Sequence, residues 1–217
     1  LEMANSYNYD EQLNLVKDAY FIIVGWPPVT EEMIRSAKKL KLIQKWGIGY
    51  DKISIETARE LGIPVAITYG CNAIPVGELA LALMLCVYRK IPYVDRNLRS
   101  NRWLKSEMRA QCYMLYHKRI GLIGLGAIGK KVARLLKGFE TEVMYYDIIR
   151  ASKEEEKDLS VTYQDLEKII SLSDIISLHL PLNPNTRRII DKEKLLKMKS
   201  NAIIINTARG GLINEDD

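Results

Sequence analysis

Three glycines within six residues, Gly124, Gly126 and Gly129, stand between a β-rich run and an amphipathic one. The run before them, "RIGLIGLG", reads as a strand entering a turn. The run after them, "AIGKKVARLLKGF", carries Ile128, Val132, Leu135 and Leu136 on one helical face. In such a strand–turn–helix unit the first glycine permits the tight turn. The second lets the backbone approach a pyrophosphate, and the third lets helix pack closely on strand. The helix N-terminus then offers unpaired N–H groups and a partial positive charge to phosphate oxygens. The next strand-like run ends in Asp147, about 20 residues on, where a ribose-binding acid belongs. A carboxylate there accepts hydrogen bonds from both ribose hydroxyls and repels a 2′-phosphate, which favours NAD over NADP. Arg150, close by, works against that preference.

The rest of the chain alternates in the same way. Strands are predicted at 19–25, 42–46 and 64–68, and helices at 30–40, 54–62 and 75–90. The last of these is apolar nearly all round and reads as a buried helix. From residue 119 the pattern gives four strands: the one before the glycine loop, "TEVMYYD", "DIISLHLPL" and "NAIIIN". Between the last three lie the helical runs "YQDLEKIISLS" and "DKEKLLKMK". Alternating β and α with short connections implies parallel sheets wrapped by helices, so the fold class is α/β with two domains. Residues 91–118 lose the rhythm and read as a crossover or arm. The expected division is a first domain over 1–95, the arm over 96–118 and a dinucleotide-binding domain over 119–217.

Composition narrows the function. The 217 residues carry a net charge of +5, with lysines and arginines interleaved with acids, so no nucleic-acid stripe is expected. The three cysteines, Cys71, Cys86 and Cys112, are far apart and show no metal spacing, which suits a reduced cytoplasmic setting. The longest apolar run, 79–88, falls short of the roughly 20 residues that span a bilayer, and no signal peptide is expected.

Two further features concern a substrate. In open α/β sheets ligands bind beyond the carboxyl ends of the strands, and Arg209 follows the strand 202–206. Its guanidinium suits bidentate pairing with a carboxylate; the alternative is a surface arginine capping a turn. Gly47, Ile48 and Gly49 follow the strand 42–46. They offer either a nest of backbone N–H groups for an anion or merely a tight turn.

The motifs "KWGIGYDKI", "NAIPVGELALALML", "GLIGLGAIGKKVA", "SDIISLHLPLNPNTRRII" and "NTARGGLIN", in this order, resemble the NAD-dependent D-isomer-specific 2-hydroxyacid dehydrogenases, a family that includes phosphoglycerate dehydrogenase. The resemblance runs from about residue 19 to the end. It implies a Rossmann domain inserted into a flavodoxin-like substrate domain, and hydride transfer between NAD(H) and C2 of a small 2-hydroxy or 2-oxo acid. By the motif "NTARG", Arg209 is similar to the family's catalytic arginine, which also lies against the cofactor. Gly47, Ile48 and Gly49 resemble the loop whose amides receive the substrate carboxylate. Gly124, Gly126, Ala127, Ile128, Gly129 and Asp147 resemble pyrophosphate and ribose contacts, and Leu180, Pro181 and Thr207 resemble further cofactor contacts. The long helix and arm near 75–115 imply a homodimer.

Departures from the family pattern carry expectations of their own. The family's acid/base histidine and its glutamate partner lie downstream of the arginine motif, and neither His117 nor His179 matches that histidine. Asn214 and Ser54 stand where the family usually has aspartate, and no opening strand is visible before the helix-like "YDEQLNLVKD". The chain therefore reads as a fragment, with the C-terminal part of the fold missing. The alternative from another class is a non-catalytic NAD-binding sensor or scaffold.

Overall fold

The structure, a computed structural model, describes residues 2–4, 6 and 8–217. The chain divides into two compact units, Leu1–Cys71 and Asn72–Asp217.

The first unit holds α1 (Tyr9–Val16), β1 (Phe21–Val24), α2 (Glu31–Ser36), β2 (Leu42–Lys45), α3 (Ile55–Glu60) and β3 (Val65–Ile67). Its strands form a parallel sheet in the order β1-β2-β3. Thr30 starts α2 by accepting the Met33 N–H on its hydroxyl, and the apolar spacing of that helix then buries Met33 and Ile34 against Val24 and Ile43. Asn8 caps α1 in the same way through the Glu11 N–H. The helix expected near "YDEQLNLVKD" is therefore present. The expectation of no strand ahead of it falls partly on Leu1, Asn5 and Tyr7, which lie outside the described residues.

The second unit begins with α4 (Ala73–Tyr88), α5 (Ile91–Arg99) and α6 (Lys105–Met108). It continues through β4 (Arg119–Ile123), α7 (Ala127–Leu136), β5 (Glu142–Tyr146), α8 (Lys153–Leu159) and β6 (Val161–Tyr163). Then come α9 (Leu166–Leu172), β7 (Ile175–Leu178), α10 (Lys192–Lys197) and β8 (Ile203–Asn206). The five strands are parallel, in the order β6-β5-β4-β7-β8. Strand order runs outward in both directions from the β4–β7 pair. That pair is the switch point at which a doubly wound sheet opens a crevice beyond its carboxyl edge.

Both faces of this sheet are covered, which is why its strands read as continuous apolar runs rather than as alternation. Ile120, Leu122, Val143, Tyr145, Ile175 and Ile205 face α4 and α7. Ile123, Met144, Ile176 and Leu178 face α9 through Ile169 and Ile170.

Three expectations need correction. Helix α4 belongs to the compact unit of the glycine loop, so the boundary falls at residue 71/72 rather than 95/96. A helix apolar nearly all round needs two partners. Here the sheet takes Ala80 and Met84, and α7 approaches so closely that a Cβ on Gly77 would stand 2.9 Å from Lys131 Cγ. Residues 91–118 contain two helices, α5 and α6, anchored by buried Asn97, Leu104 and Leu115. The second unit has five strands, not four. The three-residue β6 and the charged α8, which buries only Glu156 and Leu159, carry too little apolar pattern to be read.

Close packing of α9 on β4 rests on Gly121, where a Cβ would stand 2.5 Å from Ile169 Cγ2 and would also collide with Ser173 Oγ. Both neighbours are fully buried. Gly121→Ala should therefore cost about 1–3 kcal/mol by overpacking, read as a lower urea midpoint at unchanged slope. Gly138→Ala, where a Cβ meets nothing within 4 Å, should leave the midpoint nearly unchanged.

Candidate functional site at the carboxyl edges of the sheets

The glycine loop is fixed by backbone approach on two sides. Gly124 has φ +101°, and a Cβ there would stand 2.6 Å from the His179 carbonyl oxygen at the exit of β7. A Cβ on Gly129, in the first turn of α7, would run into the Gly124 carbonyl oxygen. Gly126 is the N-cap of α7 in extended backbone, with no side chain over the helix end. Ala127 and Ile128 open the helix beside it, half-buried.

Asp147 follows β5 and ties its end to the loop. Its Oδ2 accepts the Leu125 N–H at 2.7 Å and its Oδ1 accepts the Ile149 N–H at 3.1 Å. Beside it Ile148 and Ile149 stand in solvent, 89% and 78% exposed. Two apolar residues straight after the acid are visible in the sequence as "DII". Arg150 turns to Glu156 instead of Asp147. Its Nε donates to Oε1 at 2.8 Å and its Nη2 to Oε2 at 3.3 Å, while the guanidinium lies 4.9 Å from the Tyr163 ring centre. Hydrogen bonds from Arg150 first, and then from Lys153, hold the Glu156 carboxyl down to about 2.

On the other side of the switch point, Leu178 of β7 is in register with Asn206 of β8. The next residues, His179 and Thr207, therefore leave the sheet side by side. Thr207 Oγ1 and both His179 ring nitrogens are buried with no hydrogen-bond partner among the described residues. Leu180 and Pro181 follow His179 into a loop that Asn183 and Thr186 close through side-chain bonds to backbone.

After β8 the Asn206 side chain folds the exit. Its Oδ1 accepts the Ala208 N–H and its Nδ2 donates to the Arg209 carbonyl at 2.9 Å. Arg209 is half-buried, and its Nη1 donates to the Ala208 carbonyl at 2.8 Å. The turn beyond it is fastened where Arg188 and Ile190 N–H groups donate to the Gly211 and Leu212 carbonyls. Every cofactor-type residue named from the sequence thus lies in the second unit, at the carboxyl edge of its sheet.

In the first unit, Gly47, two residues beyond β2, has φ +137° and donates its N–H to Thr68 Oγ1 at 2.7 Å. Thr68 also donates its own N–H to the Gly47 carbonyl. The N–H groups of Ile48 and Gly49 donate to no acceptor among the described residues. Thr68 was not singled out from the sequence; only the fold brings it to the turn.

Burial pushes His179 down to about 4, so its imidazole is neutral at physiological pH. The unfolded chain takes up that proton near the ordinary value of 6.5, the folded chain only near 4. Stability from this group is therefore present above pH 6.5 and is lost as pH falls toward 4. Urea unfolding at pH 5 and pH 8 should show the loss, about 2 kcal/mol from this residue, and His179→Gln should remove that part of the pH dependence.

The residues present fit a dinucleotide. The loop is a cradle that side chains would fill, an acid is tied to it, and buried polar atoms wait at the crevice wall. The family model for D-isomer specific 2-hydroxyacid dehydrogenase, NAD binding domain, matches residues 81–217. The chain is 39% identical over 208 residues to hydroxypyruvate reductase of Thermotoga maritima, covering 95% of this chain and 66% of that protein. It is 38% identical over 217 residues to D-3-phosphoglycerate dehydrogenase of Methanocaldococcus jannaschii, covering 99% of this chain and 41% of that protein. Among solved structures, NAD-dependent formate dehydrogenase from Staphylococcus aureus in complex with NAD superposes with a TM-score of 0.87 at 31% identity, covering 98% of this chain and 64% of that one. The chain thus spans less than two thirds of the length of these relatives. With the glycine loop, the switch point and the sequence match all falling on one unit, the chain belongs to the D-isomer specific 2-hydroxyacid dehydrogenase family and carries its NAD-binding domain.

Proposed function

We propose that the protein of which these residues are part transfers a hydride between NAD(H) and C2 of a small D-2-hydroxy or 2-oxo acid, with Arg209 anchoring the substrate. The observation that carries this reading is the placement of Arg209. It leaves β8 at the same sheet edge as the glycine loop, on a main chain fixed by Asn206 and by the backbone bonds from Arg188 and Ile190. Bound NAD(H) supplies or accepts the hydride.

The chain's own residues bind and orient. Gly124, Gly126, Ala127, Ile128 and Gly129 present backbone and a helix N-terminus to the pyrophosphate. Asp147 accepts from the ribose hydroxyls, and the exposed Ile148–Ile149 pair offers apolar cover for the adenine. Leu180, Pro181 and Thr207 line the other wall. The Arg209 guanidinium pairs with the substrate carboxylate and polarises the 2-oxo group, drawing electron density from C2. Within the first unit, the Ile48 and Gly49 amides, which donate to no acceptor among the described residues, offer donors of the kind an anionic group takes. Neither histidine is assigned the substrate proton. His117 is exposed in a left-handed turn, and His179 is a neutral ring at the exit of β7.

The partner is a second copy of the chain, docked on the outer side of α4. Leu79, Leu83 and Val87 recur there at four-residue spacing and are exposed, as are Ile91 and Leu98 on α5. Three free cysteines suit the cytoplasm, and among the described residues no helix is long and apolar enough to cross a membrane.

Fluorescence titration with NADH, followed by 2-oxo acids, tests the reading. Arg209→Gln should leave NADH affinity within a few-fold and weaken the response to pyruvate or glyoxylate by about a hundredfold. NADH binding with no response to any 2-oxo acid in the unaltered protein would favour the sensor or scaffold instead. Leu83→Glu should convert a dimer to a monomer in light scattering; an unaltered protein that is already monomeric would refute the dimer.

A further inference from the structure

Two cations follow the ribose-side acid in sequence, Arg150 three residues and Lys153 six residues after Asp147. An arginine near this acid is what accommodates the 2′-phosphate of NADP in dinucleotide-binding folds. Here both cations are engaged by one carboxylate. Glu156, 7% exposed, accepts from Arg150 through two nitrogens, from Lys153 Nζ at 2.8 Å and from the buried Tyr145 hydroxyl at 2.9 Å. The Tyr145 hydroxyl is fixed in turn by the Ala151 N–H. The guanidinium is held from a second side by the Tyr163 ring, which itself packs against Tyr145.

We propose that Glu156 is a positioning residue for cofactor choice: by tethering Arg150 against Tyr163 it withholds the guanidinium from a 2′-phosphate and so enforces NAD over NADP. The inference rests on the reading of Asp147 as the ribose acid and adds a second determinant to it. Asp147 repels the phosphate, while Glu156 removes the cation that would otherwise attract it. The tether is more than a surface ion pair, because its carboxylate is nearly buried and has other bonds to keep. Arg150 has half its side chain in solvent and can swing once released. The Glu156 carboxylate stays ionised at any pH at which the cofactor would be tested.

The test measures NADH and NADPH affinities by fluorescence titration, beside the melting temperature of each variant. In the unaltered protein NADPH should bind far more weakly than NADH. Glu156→Gln keeps an acceptor for Tyr145 but releases the cations. It should tighten NADPH by about tenfold while NADH stays within about twofold. Adding Arg150→Gln to that variant should abolish the gain. A gain that survives this second change and disappears only with Lys153→Gln would overturn the assignment to Arg150. Unchanged NADPH affinity in a folded Glu156→Gln protein would overturn the tether itself.

Should Glu156→Gln fail to fold, Arg150→Gln alone still decides. It should leave NADPH affinity unchanged, since the tethered guanidinium is not available, and a loss of NADPH binding would refute the proposal. Failure of the underlying reading has a different signature: Asp147→Ala would then leave NADH affinity intact.

Discussion

The structure of the NAD-binding unit depends on one close approach, that of the Gly124 backbone to the His179 carbonyl. Strands β4 and β7 are neighbours in space but separated in sequence by two strands and three helices. Their paired ends must diverge to open a crevice, yet the loop leaving β4 must stay pressed on the exit of β7 for its helix to begin at the sheet edge. Only a residue without Cβ, in a left-handed backbone, meets both conditions, and Gly124 is such a residue. Gly129 then lets α7 settle on that turn, and Asp147 fastens the end of β5 to it through the Leu125 N–H. Three strand ends are thereby referenced to one turn.

Charge is arranged around that turn by the same economy. Asp147 accepts the backbone N–H groups of Leu125 and Ile149 on its two oxygens, which fixes its position beside the glycine loop with no salt-bridge partner among the described residues. The cations nearest in sequence are drawn to Glu156, whose burial under Tyr145 makes it a strong acceptor. A single acid on α8 thus settles where two basic side chains lie. Removing it would free both side chains with no change to the glycine loop.

The legible parts of this chain were those in which local sequence and global fold agree. The glycine loop needed no tertiary knowledge, because each glycine answers to a local steric demand. The long strands of the second unit were readable because burial on both faces makes them continuous apolar runs. Strand β6 and helix α8 were not. Three residues give no period, and "KEEEKDL" looks like a solvated charge run until Glu156 is seen to be buried by its partners. The unit boundary is not legible because apolarity reveals that α4 must be buried but not by what; its packing partner α7 lies about 40 residues downstream. Thr68 at the Gly47 turn was illegible for the same reason, since its role arises only when β3 is laid beside β2.

The wall of the crevice shows where stability has been set aside. Ser177 of β7, and His179 and Thr207 just beyond the ends of β7 and its in-register neighbour β8, continue the alternation of the face that carries Ile175, Ile203 and Ile205. An apolar residue at each position would continue that core without penalty. Instead the hydroxyls of Ser177 and Thr207 and the His179 ring nitrogens are buried with no protein partner among the described residues. Such groups cost of the order of 1–3 kcal/mol each. The polar set grows denser toward the carboxyl edge, where the cofactor crevice opens, and gives way to isoleucine at the amino end. That gradient is what a sheet shows when one end is selected for packing and the other for contact with a polar ligand. Burial keeps His179 neutral, so the ring adds hydrogen-bonding capacity to the wall without placing a charge there.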